Sequence, residues 1–559
     1  MAQGDLAAGE AAARDAQRHF QETRSDATPD TSGVARHSGI GAPPERRVFA
    51  VLGMLPEPGG YAVAKFSRSA RPFEEWAREL TQAGAERFYE QFYFQYGHAS
   101  IADLAHLTLV LENISIVAAI EVLDEPLVDA QESSTRYQDF ARRRYYVPPE
   151  IRGSPLEPAY HAACEKLFAT YQAVHHALTA YYHDVYASQR PPAMSDEEYR
   201  RTVRARAFDV ARYLLPTGTY TGLGYLASAR TLERQIVRLL SHPLAELREI
   251  GAALKDAATT RPAWNPQAER LAPLLAAFEA EVAWERKAEL LAALRELALT
   301  PVPPAPTLIR YTAPSAYLER TYTELAALAQ AWLPAQAPDA ARGVDLVEPH
   351  DQELELVATL LYRVTPYSYR QVLTAVREWS PARRAEVLEL AYRDRGPHDP
   401  PLRETRTGYE LLFDLCLDCG AFRDLHRHRR LVQVVQPFWG LHGYDEPPDV
   451  ARAGLAAAYR EAMAQAGAVA RELNAACAPQ RPGALPGQYA LPLGYRRRVL
   501  LKMDAAELAY IVETRTRPAG HFSYREIAFA MYQAFAQRYP RLARYIRATD
   551  PREERFFER

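Results

Sequence analysis

Cysteine, net charge and long apolar runs are all scarce in this chain of 559 residues. Its four cysteines, Cys164, Cys416, Cys419 and Cys477, are too few for a disulfide scaffold, which excludes the disulfide-rich secreted proteins and favours a cytoplasmic location. The formal net charge of −3 gives no chain-wide attraction to nucleic acid or to an anionic membrane. Any binding of anions must therefore depend on a local cluster of cations.

The apolar stretches of the sequence are too short to cross a membrane. The longest, residues 107–123, is interrupted by Glu112, Asn113 and Glu121, and a spanning helix needs about 20 apolar residues. Residues 1–46 lack the apolar core that a secretory leader carries, and their composition predicts a disordered tail. We therefore expect no membrane partner.

Length and periodicity predict two domains joined by a connection. Residues 48–52 predict a strand, residues 73–88 a helix that leads to a turn at Gly97-His98, and residues 102–123 a mostly buried helix. From Cys164 to Val185 apolar residues recur at spacings of three and four, which predicts a long amphipathic helix. Residues 301–342 are punctuated by proline and predict the connection.

The most concentrated cationic motif is Arg427-His428-Arg429, which precedes residues 431–435, four of which are apolar. Two guanidiniums beside an imidazole, next to a segment that must be buried, indicate a rigid pocket suited to a phosphate or a flavin. The alternatives are a charged surface turn and a nucleic-acid patch. Because the aromatic residues expected of single-strand binding are absent around the cluster, nucleic-acid binding ranks last.

A zinc site is a weaker interpretation of the nearby Cys416-Leu-Asp-Cys419 segment and the histidines that follow it. No second Cys-x-x-Cys pair or conventional His pair completes a ligand set, so burial of these cysteines is favoured. The histidines on the predicted helix of residues 164–185 lack a suitably spaced carboxylate partner: His175, His176 and His183. We predict no metal site.

Residues 132–137 read Glu-Ser-Ser-Thr-Arg-Tyr. Together with Arg427-His428-Arg429 they resemble the signature of the flavin-dependent thymidylate synthases, which runs Arg-His-Arg, seven residues, Ser, one residue, Arg, Tyr. The signature can be aligned at two places, which we call the first copy, around residues 124–137, and the second copy, around residues 427–440. In the first copy the Arg-His-Arg positions hold Asp124, Glu125 and Pro126. In the second copy the Ser, Arg and Tyr positions hold Pro437, Trp439 and Gly440. Each copy thus keeps the half that the other has lost.

Paired spacings support the presence of two copies. The proline of Leu215-Pro216 stands 12 residues before Ser228, and the proline of Leu491-Pro492 stands 12 residues before Asp504. Ser228 and Asp504 both stand at the position of a flavin-binding Asn in the family. Eleven residues further on, where the family has a substrate-binding Arg, the first copy has Leu239 and the second has Arg515.

The segment from Gly97 to Asp103 resembles the family's Gly-His-x-Ser-x-x-Glu segment, and residues 396–398 are its degraded counterpart. The resemblance implies an α+β fold of two tandem units like the thymidylate synthase complementing proteins, each a central sheet with flanking helices. We place the units at residues 47–300 and 343–559.

The resemblance also implies a reaction, the reductive methylation of dUMP to dTMP with methylenetetrahydrofolate, NADPH and FAD. When the family's roles are carried over by position, the substrate-binding residues are Glu132, Ser134, Arg136, Arg427 and Arg515. Arg427 and Arg515 are also the catalytic residues. Cofactor binding falls to His98, Ser100, Ser228, Arg230, Arg427, His428 and Arg429. Because the family gathers site residues from different subunits, we expect one composite site between the copies and a homodimer that mimics the family's tetramer.

Two features keep an alternative open. The family's Gln three residues before Arg-His-Arg is Asp424 here, which places a carboxylate in the expected site. Neither copy holds the whole signature. The alternative is a catalytically retired homologue that binds a nucleotide or flavin as a sensor or scaffold. We further expect Asp124-Glu125-Pro126 to lie far from the composite site.

Overall fold

The computed structural model describes residues 53–66, 82–90, 99–140, 144–281, 284–295, 301–347, 351–396, 399, 401–478, 483–552 and 555–558. Residues Leu55–Arg559 form one compact unit. The strands are β1 His106–Ser115, β2 Val128–Glu132, β3 Tyr220–Ser228, β4 Gly343–Val347, β5 Leu411–Asp418, β6 Val432–Val435 and β7 Arg496–Met503.

The α-helices over the described residues, in chain order, are α1 Pro56–Phe66, α2 Gln82–Tyr89, α3 Ile116–Leu123, α4 Glu157–Val185, α5 Asp196–Ala211, α6 Ala229–Leu240, α7 Ala245–Thr259, α8 Pro266–Glu281, α9 Lys287–Leu294, α10 Ala316–Trp332, α11 Gln352–Arg363, α12 Tyr369–Arg377, α13 Pro381–Arg393, α14 Cys419–Leu425, α15 Pro448–Arg452, α16 Ala456–Cys477, α17 Ala505–Arg515, α18 Phe522–Arg538 and α19 Pro540–Ala543. No helix among the described residues is long and apolar enough to span a membrane.

Two antiparallel sheets repeat one strand order. The first sheet runs β1-β3-β2, and the second runs β4-β5-β7-β6. In both, the first strand of the shared trio leads directly into a short helix, α3 or α14, and the third leads into α6 or α17. The predicted α+β fold with two tandem units is therefore confirmed, with β1, β2 and β3 matching β5, β6 and β7.

The two Leu-Pro segments pair with each other across the junction of the repeats. The backbone N–H of Thr217 donates to the carbonyl of Leu491 at 2.9 Å, and the N–H of Leu493 donates to the carbonyl of Leu215 at 2.9 Å. Pro216 and Pro492 form an antiparallel bridge between these two bonds. Reciprocal bonds of this kind are the signature of a local two-fold relation between the repeats.

A glycine permits this close approach. A Cβ added at Gly218 would lie 2.9 Å from the carbonyl oxygen of Tyr489, a backbone atom that cannot move aside easily. The N–H of Gly218 donates to that same oxygen at 2.8 Å. The junction therefore needs a residue without a side chain at this position.

The repeats share a hydrophobic core. One continuous cluster includes buried residues of both sheets, for example Leu223 in β3 and Leu415 in β5. A second cluster covers the other face of the second sheet, where Leu412 and Leu500 pack with residues of α10 to α13 such as Leu361. Burial of the first cluster joins the two repeats into one body rather than two independent domains.

The prediction of a single helix over residues 102–123 was wrong. Residues 106–115 form β1, and the helix begins only at Ile116. Leu107, Leu109 and Leu111 are buried in alternation with exposed neighbours, which is the period of a strand and not of a helix. Ser115 ends the strand and caps the helix, since its hydroxyl accepts from the N–H of Ala118 at 2.9 Å.

The predicted amphipathic helix is confirmed as α4. Its residues Cys164, Leu167 and Leu178 are buried, but Val185 at its end is 43% exposed. The strand predicted at residues 48–52 lies outside the described residues, as do the Gly97-His98 turn and residues 73–81 of the helix predicted to end at Phe88.

The proline-rich connection is packed into the fold. Leu308 is fully buried, and the backbone N–H groups of Thr307 and Leu308 each donate to the carboxylate of Glu57 at 2.8 Å. Further along, α10 contributes Tyr317 and Leu325 to the second core cluster. The unit boundaries at residues 300 and 343 stay a prediction, because the intervening chain belongs to the same compact body.

Candidate functional site

The Arg427-His428-Arg429 motif lies in the short connection between α14 and β6. Arg427 is exposed and forms no hydrogen bond or ion pair within the described part of the chain. Arg429 reaches the first repeat, where its guanidinium lies 2.6 Å from the carboxylate of Asp129 on β2. The motif therefore stands at the boundary between the repeats.

His428 is buried and links the motif to α17. The Nε of Arg515 donates to the Nε2 atom of His428 at 2.9 Å, and the Nδ1 atom lies 3.4 Å from the carboxylate of Glu507. Because Nε2 accepts a hydrogen bond from a permanent cation, the ring is neutral with its proton on Nδ1. Burial lowers the pKa of His428, which favours this neutral form. The imidazole thus orients the Arg515 guanidinium.

The other half of the signature meets α14 directly. Glu132 at the end of β2 pairs with Arg423 of α14 at 2.5 Å, and both side chains are almost fully buried. Two residues further on, the hydroxyl of Ser134 accepts from the N–H of Arg136 at 3.3 Å. The structure therefore places the segment that begins at Glu132 against the helix that precedes Arg427-His428-Arg429.

Arg136 is held in place by a carboxylate of its own repeat. Its Nε and a terminal nitrogen donate to the two oxygens of Asp209 on α5 at 2.7 and 3.1 Å. The same terminal nitrogen also donates to the carbonyl of Ala519 at 3.4 Å. A forked pair of this kind fixes the plane of the guanidinium. Arg136 is therefore part of the framework of the site as well as a candidate ligand for substrate.

Asp424 is a carboxylate that feels the charge of guanidiniums from both repeats. Burial acts to raise the pKa of this carboxyl group, but nearby cations outweigh burial and hold the pKa below its usual value. Those cations come from both repeats: Arg212, Arg136, Arg427 and Arg515. Of these four, Arg212 is the one with a described contact to the carboxylate, with terminal nitrogens 3.5 and 3.4 Å from one oxygen.

Arg212 is the site residue that sequence reasoning missed. It lies in a short 3-10 helix over Arg212–Leu214, just before Leu215-Pro216, and is only 2% exposed. Its position three residues before the start of the Leu-Pro segment was the available signal, since that segment was already recognised as a paired feature of the repeats. The cluster thus has guanidiniums from two places in each repeat.

The predicted cofactor residues of the first repeat do not join this cluster through any described hydrogen bond or ion pair. The hydroxyl of Ser228 accepts from the N–H of Thr231 and caps α6, and Arg230 pairs with Asp103 at 2.8 Å. His98 lies outside the described residues, and the side chain of Ser100 is not described.

Asp504 of the second repeat caps α17 as Ser228 caps α6, by accepting from the N–H of Glu507 at 2.8 Å. The conserved spacing therefore marks two equivalent helix starts.

The expectation that Asp124-Glu125-Pro126 lies far from the motif was wrong. These residues line a small cavity together with His428 and Arg429. Asp124 also lies 3.9 Å from the Nε2 atom of His426.

Arg403, which lies between β4 and β5 of the second sheet, pairs with Asp124 at 2.5 Å. Asp124 in the degenerate half is thus matched by a cation. Leu239, the counterpart of Arg515, is fully buried and offers no charge.

The cationic residues between positions 423 and 430 do not form one exposed basic patch. Arg423, His426 and His428 have nearly buried side chains, and only Arg427, Arg429 and the following Arg430 are exposed. Cys416 and Cys419 are buried at the junction of β5 and α14. Over the described residues, no group of three or more His, Cys, Asp or Glu side chains could hold a metal ion.

Comparison with known proteins places the chain in a family. The family model for the thymidylate synthase complementing protein matches residues 56–261 and 409–541, which together are more than half of the chain and include most of both repeats. The chain belongs to the thymidylate synthase complementing protein family. The two matched segments contain both half-signatures and Arg212.

Two relatives are similar to this chain over most of its length, and a third over about one third of it. A UPF0159 protein of Chlamydia muridarum is 28% identical over 84% of this chain and 82% of its own length. Another, of Thermoplasma acidophilum, is 26% identical over 88% of this chain and 95% of its own length. The flavin-dependent thymidylate synthase of Clostridium tetani is 24% identical over 32% of this chain and 67% of its own length.

Among solved structures, ThyX of Helicobacter pylori, complexed with FAD and dUMP, matches with 15% identity and a TM-score of 0.22. The match covers 36% of this chain and 89% of that chain.

Proposed function

We propose that this protein binds dUMP at one composite site between its two repeats and converts it to dTMP with methylenetetrahydrofolate and NADPH. The observation that carries the proposal is the contact of Arg212 of the first repeat with Asp424 of the second, a carboxylate that also feels the charges of Arg136, Arg427 and Arg515. Membership of the thymidylate synthase complementing protein family supports the choice of substrate.

The charges of the cluster fit a phosphate monoester. Arg136 is matched by Asp209 and Arg212 faces Asp424, which leaves Arg427 and Arg515 as cations without a carboxylate of their own in the described structure. A phosphate monoester carries about −1.5 to −2 at neutral pH. Arginine also suits a pyrimidine that gains negative charge when it is attacked, because its forked donors stay charged at every relevant pH.

The residues around the motif have the chemistry that FAD requires. Arg427 and Arg429 are exposed cations beside the neutral imidazole of His428, a donor set suited to a diphosphate and to the polar edge of a flavin ring. This set comes from the second repeat, because Ser228 and Arg230 of the first repeat make their described polar contacts with Thr231 and Asp103. When bound, FAD supplies the hydride transfer that the reductive methylation needs.

The second candidate is a retired homologue that binds the nucleotide without turning it over. Two observations favour it. Asp424 presents a negative charge to the pocket, and the described contacts of Arg136 are to Asp209 and Ala519.

The assembly and location also belong to the proposal. Two chains would pair as a homodimer, so that four repeats reproduce the tetramer of the family, and the four free, buried cysteines suit the cytoplasm.

The test is the absorption spectrum of the purified full chain, followed by a dTMP formation assay with dUMP, methylenetetrahydrofolate, NADPH and added FAD. Flavin bands with dTMP formation support the enzyme. Tight dUMP binding without dTMP supports the retired homologue. Absence of both flavin and dUMP binding contradicts the composite site itself.

A further inference from the structure

The carboxylate of Asp424 occupies the centre of the proposed phosphate pocket. Asp424 lies near the end of α14, and its side chain is only 14% exposed. Four guanidiniums act on it, from Arg136 and Arg212 of the first repeat and from Arg427 and Arg515 of the second. An anion already fills the place where a ligand anion would be attracted most strongly.

The hold on this carboxylate is loose. Both terminal nitrogens of Arg212 point to the same oxygen of Asp424, at 3.5 and 3.4 Å. The neighbouring pair of Arg136 and Asp209 uses both oxygens, at 2.7 and 3.1 Å. Charge-assisted hydrogen bonds are normally about 2.7–2.9 Å long. The Arg136 pair is therefore a fixed structural contact, whereas the Arg212 pair can be exchanged.

The donors of the pocket are also not saturated. The Nε atom of Arg212 is buried without a hydrogen-bond partner among the described residues. Arg427 has no partner there either. A buried donor without a partner is costly, and an anion with more oxygens than one carboxylate would satisfy it. A phosphate monoester has three terminal oxygens and more charge than Asp424.

We propose that Asp424 is a built-in counter-ion, which occupies the anion position of the pocket until a phosphate monoester displaces it from Arg212. This inference rests on the proposed nucleotide site. Asp424 then sets the specificity of the pocket, because only a ligand with a phosphate competes for Arg212. A nucleoside without phosphate has no means of displacing the carboxylate.

The test compares the wild-type chain with Asp424→Asn, which keeps the shape and removes the charge, and Asp424→Gln, which restores the amide expected from the family signature. Calorimetry measures binding of dUMP and of deoxyuridine to each protein. Both variants should bind dUMP at least roughly tenfold more tightly, because a like charge beside the phosphate is removed. The affinity for deoxyuridine should stay unchanged.

A second measurement does not depend on the nucleotide. Removal of the counter-ion leaves guanidiniums facing one another, so both variants should melt at a lower temperature than the wild type. Inorganic phosphate should raise their melting temperature more than that of the wild type. This comparison detects the exchange of one anion for another.

The outcomes separate this inference from the proposed function. If the wild type and both variants bind dUMP equally, the nucleotide site stands and the counter-ion is refuted. If dUMP and deoxyuridine gain affinity together, Asp424 has only a structural effect and the inference is wrong. If dUMP binds to none of them, the proposed function fails. In that case, phosphate that stabilises the variants preferentially still supports the counter-ion, and phosphate that does not overturns it.

Discussion

Replacement of Arg427 by alanine separates ligand binding from folding. The side chain is exposed and has no described hydrogen bond or ion pair, so the free energy of unfolding should change by less than about 0.5 kcal/mol. In the complex with dUMP its guanidinium would make charge-assisted hydrogen bonds, whose loss costs about 1.5–3 kcal/mol. The dissociation constant for dUMP should therefore rise by about 10- to 150-fold.

The matched control is Arg430→Ala. Arg430 is also exposed, and its ion pair with Asp504 at 3.0 Å lies at the surface, where such pairs contribute little. It removes the same charge three residues further along the chain. Calorimetry should show weakened dUMP binding for Arg427→Ala and near wild-type binding for Arg430→Ala. Equal affinities in all three proteins, or equal losses in both variants, would refute the placement of Arg427 in the site.

Two further variants test the framework around the site. Arg136→Ala breaks a buried forked pair with Asp209 and should lower the free energy of unfolding in urea by about 3–5 kcal/mol; a loss under about 1 kcal/mol would show that the pair is not structural. Burial lowers the pKa of His442 to about 4, and this ring is 1% exposed. Because the unfolded state binds the proton first, near pH 6.5, the stability contribution of His442 is full above that pH and falls by about 3 kcal/mol as pH drops towards 4. Urea unfolding across this pH range should show that the free energy of unfolding of His442→Asn falls less on acidification than that of the wild type. An equal fall in both proteins would contradict the lowered pKa of His442.

The repeat could be predicted from sequence because its turns and helix starts impose strict spacing. Pro216 and Pro492 pair with each other in the structure, and Ser228 and Asp504, each 12 residues after its proline, cap the helices that begin at the next residue. A cap needs a short polar side chain but not one particular residue, so the position survives exchange of Ser for Asp. Spacing therefore carried more information than residue identity.

The secondary structure of residues 106–115 was harder to predict, because a run of apolar residues fits a buried helix as well as a strand. Pairing with β3 decides in favour of the strand, and that partner lies over a hundred residues away. Asn113, with a φ of 56°, marks the irregularity where the register with β3 shifts. Such a feature depends on tertiary pairing and leaves no local pattern.

The ion pairs of the site could not be predicted for the same reason. Arg423 and Glu132 meet only because the sheets of the two repeats are brought together. Arg212 lies beside the recognised Leu215-Pro216 segment, but its contact with Asp424 depends on how the two repeats pack together. Sequence could indicate which residues belong to a site in the family, but the charge balance among them is a property of the fold.

The stoichiometry of dUMP binding tests the central claim most directly, since one site per chain follows only if the repeats complement each other. Calorimetric titration of the full-length protein, with the chain concentration fixed by amino-acid analysis, should give one dUMP per chain. A value of two would show that each repeat binds nucleotide by itself. The absence of binding would contradict the composite site.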